Sequence, residues 1–194
     1  AINIDGGLAS RSAWLKSPYA DAPDQRGVRY DSYAELRNAM VRASMDDFQV
    51  SLRANGDAAV SEAISAITDL SQTFPDDRRW RIEGAGVVDP ADMPRLGANN
   101  IALSIQPTAA LRQRAAATKR LGEARLSSAF AARSLTKNSA QLSLAADMEA
   151  GITPFSSIAA AITREDASGQ PFGGWRPEER LGREQALAGF TTSA

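Results

Sequence analysis

Short apolar runs alternate along the chain with longer stretches in which apolar residues return every three or four positions. The first pattern suits a buried strand, the second an amphipathic helix. "AINID" runs into the glycine-rich turn "GGLASR", and the segment from Ser17 to Gly27, with two prolines and two aspartates, predicts a long surface loop. Ser32 stands where a helix N-cap is expected, ahead of Tyr33, Leu36, Met40 and Ala43 at helical spacing. "FQVSLRA" (48–54) predicts a strand, and after "NGD" the residues Val60, Ala63, Ile64, Ile67 and Leu70 share one helix face that Pro75 ends. The third unit is "RWRIEGA" with a short helix from about Pro90. The fourth, "NIALSIQP", precedes a long alanine-rich, basic helical stretch from about Leu111 to Lys137, broken near Gly122. The fifth strand, "AQLSLAAD" (140–147), leads to a helix around "PFSSIAAAITRED", a polar loop "ASGQPFGGWRPEER", and a last helix from about Arg183 to Phe190.

Strands separated by helices of this length predict parallel pairing, because a parallel pair needs a connection of about a dozen residues or more. The expected fold is therefore α/β with about five βα units. In such folds ligands sit at the carboxyl ends of the strands. Those ends are Asp5, Arg53 to Asp57, Gly84, Gln106 to Ala109, and Asp147.

Composition narrows the chemistry. The 194 residues, 43% of them hydrophobic, suit one domain over 1–194. A formal charge of −1 gives no global attraction to nucleic acid or to an anionic membrane. No apolar run approaches the roughly 20 residues of a membrane span, and the first residues carry no basic-then-apolar leader. The absence of cysteine excludes disulfides and thiolate chemistry within the chain and fits a cytoplasmic protein. The absence of histidine removes the usual base near neutral pH and the commonest metal ligand.

Each candidate residue has a structural reading beside the functional one. Asp147 could bind a metal or serve as a general base, or pair with Arg53, which would lower its pKa and make it a poor base. Asp57 could reach a substrate or cap a helix N-terminus. Gly6 and Gly7 could cradle an anion or simply turn the chain tightly. Arg112, Arg114, Lys119, Arg120, Arg125, Arg133 and Lys137 are read as a solvated helix face, since only Phe130 supplies an aromatic among them. Trp175 could line a pocket or pack its loop.

The order "DGGLASRSA", "QVSLRANGDAAVSEAI", "RWRIEGAGVVDPADMPRLG", "IALSIQPT", "LSLAADMEA", "PFSSIAAAITRED" and "GGWRPEERLGREQALAGFT" resembles the second half of a metal-dependent hydrolase of the amidohydrolase superfamily. It is most similar to the branch that includes N-substituted formamide deformylases. The resemblance covers nearly the whole chain and implies strands four to eight of a (β/α)8 barrel, a partial TIM barrel that is incomplete unless paired with another chain. Five of eight strands leave two open edges, so the expected partner is a second copy or another polypeptide.

The same resemblance implies where ligands should stand. The family's histidines at the ends of the fifth and sixth strands and after the seventh fall on Arg53, Gly84 and Ala109, and its bridging lysine falls near Ala1. Only the aspartate of the eighth strand is retained, as Asp147. A catalytic zinc needs about three protein ligands and an open position. A guanidinium remains protonated and repels a cation. The leading expectation is a degenerate relative that acts as a structural or assembly subunit, without metal-dependent hydrolysis as an isolated chain and without a cofactor. One alternative is a hydrolase of C–N (amide) bonds, with zinc or another divalent metal held at a site that a partner completes. The other is a small-anion binding module using Arg53, with Gln106 and Asp57 as further binding candidates.

Overall fold

The computed structural model describes residues 1–139, 141–146 and 152–193. Its strands are β1 (Ile2–Asn3), β2 (Ser51–Ala54), β3 (Arg81–Gly84), β4 (Ala102–Ile105) and β5 (Gln141–Leu144). Its α-helices are α1 (Tyr33–Met45), α2 (Asp57–Ser71), α3 (Met93–Ala98), α4 (Pro107–Arg112), α5 (Arg114–Leu121), α6 (Ala132–Asn138), α7 (Pro154–Thr163) and α8 (Arg183–Gly189). All four strand pairings are parallel and the spatial order is β1-β2-β3-β4-β5. Strands in sequence order follow the path of a barrel wall, not of a doubly wound sheet whose order reverses. The expected α/β half-barrel architecture is the one observed.

Register sorts the side chains. Ile2, Leu52, Ile82, Leu103 and Leu142 stand opposite one another across the five strands. They enter the main hydrophobic core with Val60, Ala63, Ile64, Ile67 and Leu70 of α2 and Leu36 and Met40 of α1. One residue further along each strand, Asn3, Arg53, Glu83, Ser104 and Ser143 form a second row. Because successive side chains of a strand point to opposite faces, this polar row lies on the sheet face away from the helices. A smaller core of Leu8, Ala13, Leu15, Tyr19, Val87, Ala117, Leu121 and Ala129 fixes the long loop after β1 against α5. There the Tyr19 hydroxyl donates to the Ala13 carbonyl at 2.6 Å.

Local signals explain most element boundaries. Ser32 caps α1 as expected: its hydroxyl accepts from the Glu35 amide, and the Glu35 carboxylate accepts from the Ser32 amide. Strand β2 begins at Ser51, later than the pattern predicts, because the Phe48 amide still bonds the Ala43 carbonyl and Asp47 turns the chain at φ 56°. The expected long helix over 111–137 is corrected to four pieces: α4, α5, a 3-10 segment Glu123–Ser128, and α6. Gly122, at φ 69° and ψ 163°, breaks it where expected, while Gln113 and Phe130 interrupt it without a sequence signal. Strand β5 is shorter than expected, and Ala140 and Asp147 lie outside the described residues. Among the described residues no helix is long and apolar enough to cross a membrane.

Candidate functional site

The carboxyl ends of the strands and the first turns after them enclose an open cavity of about 450 Å³. Its polar side carries Asn3, Arg53, Glu83 and Ser104 from the in-register row, with Asp5, Asn55 and Gln106 just beyond the strand ends. Its apolar side includes Leu8, Ile105, Ala109, Phe130 and Leu135. Arg53 and Glu83 are register partners on adjacent strands, which sets a cation beside a carboxylate at the floor. The Glu83 Oε1 also lies 3.7 Å from Arg81 Nε on its own strand.

Asp5 holds the rim together. Its Oδ2 accepts from the amides of Trp14 and Gly56 at 2.8 Å each, and its Oδ1 accepts from the Asn55 amide at 2.8 Å. The end of β1, the loop after it and the β2–α2 turn are thus tied to one carboxylate. Burial pushes its pKa up to about 6 against the opposing pull of these three amides. Asn55 extends the tie by donating from Nδ2 to the Gly6 carbonyl at 3.1 Å.

Gly84 closes β3 at φ 96°, in the region that favours glycine. A Cβ there would lie 2.6 Å from Asn55 Oδ1 and 3.2 Å from the Ala54 carbonyl. Neighbouring amides use this approach: Ala85 donates to the Ala54 carbonyl and Val87 to the Asn55 carbonyl, at 2.8 and 2.7 Å. Glycine at this strand end therefore serves close backbone packing, besides leaving the cavity without a side chain.

Of the residues singled out by sequence, Arg53, Gly84, Gln106 and Ala109 meet in the cavity. Asp147, and with it the expected pairing with Arg53, lies outside the described residues. Asp57 is a correction: Gly56 occupies the N-cap and Asp57 is the first residue of α2. Its Oδ1 accepts from the Lys16 and Ala58 amides at 2.9 and 3.0 Å, outside the cavity lining. The basic stretch is also more than a solvated face. Arg120 engages Asp21 and the Ala9 carbonyl, Arg125 donates to the carbonyls of Ser17 and Pro18, and Arg114 bonds Asp166 at 3.2 Å. Trp175 packs edge-on to Phe130 with centroids 6.0 Å apart. Sequence reasoning named Asp5 only as a strand end and did not name Arg164, and both are buried at this site. Arg164 carried no local signal, since it opens the charged run "RED" after the apolar "SIAAAIT".

The model for the amidohydrolase family matches residues 1–194. Protein LONG AFTER FAR-RED 3 of Arabidopsis thaliana is 32% identical over 194 residues, a match covering 98% of this chain and 33% of that protein. The chain is similar in structure to an uncharacterized metal-dependent hydrolase from Pyrococcus horikoshii OT3, with a TM-score of 0.86 at 25% identity. A second such hydrolase, from Pyrococcus furiosus, gives 0.84 at 27% identity. Each structural match covers 99% of this chain and 38% of the solved one. The chain thus spans about a third of the length of the curated relatives it matches.

Two predictions follow from the rim. Replacement Gly84→Ala, which combines an unfavourable φ with a 2.6 Å approach, lowers the free energy of unfolding by about 1–3 kcal/mol in urea denaturation. Asp5 has a folded-state pKa of about 6, above its ordinary 3.8. The folded state therefore holds the proton more tightly: the stability from this group is fully present below about pH 4 and is lost as pH rises through about 6. Asp5→Asn leaves one amide without its acceptor and costs about 1–3 kcal/mol, and it also removes that slope from a plot of stability against pH.

Proposed function

The chain belongs to the amidohydrolase family, and from that premise we propose that it is a member whose metal-binding positions have been replaced, acting as a structural or assembly subunit. The observation that carries this reading is the residue set at the strand ends. Arg53, Gly84 and Ala109 occupy positions where the resemblance to formamide deformylase-like hydrolases expects histidines, and the whole chain has no histidine.

Among the described residues, the donor set at the cavity does not fit a hydrolytic metal. Among the described residues no group of three His, Cys, Asp or Glu side chains is arranged to hold one. The cavity's described carboxylates are Asp5 and Glu83. Both Asp5 oxygens are taken by backbone amides. Glu83 stands beside the Arg53 cation, whose charge opposes a second cation there.

Assembly is supported by the sheet. Among the described residues β1 and β5 each pair with one neighbour, so both outer edges present unpaired backbone groups. We propose that a second copy or another polypeptide covers them. Sedimentation velocity of the 20.6 kDa chain is the test. The expected result is a discrete oligomer with a mass that is a whole multiple of the chain, or a stable complex with one partner. A monomer at every concentration, with no partner co-purifying, would contradict the subunit reading.

A further inference from the structure

Helix α7 is apolar along most of its length and ends at Arg164, whose backbone is left-handed at φ 61°. That conformation is uncommon for a bulky residue and calls for surroundings that hold it. The Arg164 amide bonds the Ala160 carbonyl at 3.0 Å, and the Trp175 amide bonds the Arg164 carbonyl at 2.8 Å. The side chain is equally constrained: Nε donates to the Trp175 carbonyl at 3.0 Å, and the guanidinium carbon lies 5.4 Å from the Trp175 ring centroid.

The rest of the guanidinium is not accounted for. Arg164 is only 1% exposed, yet its Nη2 is buried without a hydrogen-bond partner. Among the described residues no carboxylate forms an ion pair with it. The acids that influence it are already engaged. Glu179 accepts from the Ser134 amide and hydroxyl at 2.9 and 2.6 Å, and Glu178 accepts from Arg176 Nε at 3.1 Å. Burial and the like charge of Arg176 lower the Arg164 pKa to about 10, which still leaves a cation at neutral pH. A buried, unpaired charge is expensive unless something compensates it.

Arg164 forms part of the cavity wall, on a lining shared with Ala109, Phe130, Ala132 and Leu135. The cavity's volume of about 450 Å³ lies within the roughly 300–1,000 Å³ of small-molecule sites, which pair apolar walls with a few polar anchors. A planar guanidinium fork matches a carboxylate. Arg53 and Arg164 offset the carboxyl groups of Asp5 and Glu83, which line the same space.

We propose that this cavity binds a small monocarboxylate with an apolar body, the carboxylate pairing with Arg164 and the body lying against Phe130 and Leu135. The proposal goes beyond the assembly reading and does not rest on it: a monomeric chain could bind such a ligand equally well.

Calorimetric titration of the chain with sodium benzoate, and separately with its neutral analogue benzamide, tests the proposal. The expected result is saturable binding of one benzoate per chain, at least about tenfold tighter than benzamide. Arg164→Gln is expected to reduce benzoate to the benzamide level. Should that variant fail to fold, the same comparison is made on the unaltered protein by methyl NMR, where the Leu135 and Ile105 signals shift with benzoate at concentrations that leave them unmoved with benzamide. Equal affinity for the two compounds, no binding of benzoate, or unchanged benzoate affinity in a folded Arg164→Gln variant would overturn it.

Discussion

Three backbone amides from two separate loops converge on the buried carboxylate of Asp5. Strand β1 is only two residues long and pairs with β2 at two positions, so the ladder alone holds it weakly. Asp5 supplies what the short strand lacks by bonding Trp14 in the following loop and Asn55 and Gly56 in the β2–α2 turn. Amides that would otherwise be buried without partners find one acceptor there. The cavity rim inherits its shape from this arrangement, because Asn55 in turn reaches Gly6 and crowds the place where a side chain on Gly84 would stand.

The sheet then divides the labour between its two faces. Leucines and isoleucines of one register row enter the core under the helices, while the next row brings Asn3, Arg53, Glu83 and Ser104 to the opposite face. The polar row is suited to a ligand or a partner surface and ill suited to a dry core. Within it, and around it, two arginines line the cavity: Arg53 at the floor and Arg164 in the wall. Family membership fixes the scaffold, while the side chains at its strand ends decide what the scaffold does.

Much of this was legible in the residues. The strands were readable as short apolar runs and α2 from a period of about 3.6 in its apolar positions, and Ser32 announced the start of α1. The region from Leu111 to Lys137 was less legible. Its alanines permit a continuous helix, and the interruption at Phe130 adjoins the Val87–Ala129 bridge, a contact distant in sequence, while α5 packs against the loop after β1. Asp57 carried the composition of a cap, but Gly56, whose amide serves Asp5, took the position. Arg164 was illegible for a general reason: arginines are mostly exposed, and nothing local marks one that tertiary packing buries.

The central claim is that the strand-end residues of this amidohydrolase-family chain have given up metal ligation. Zinc content measured by inductively coupled plasma mass spectrometry, after dialysis against a zinc salt and then against metal-free buffer, tests it most directly. The account predicts that the chain retains no zinc. One zinc held per chain would contradict it, and would mean that carboxylates and backbone groups at this cavity form a metal site without histidine.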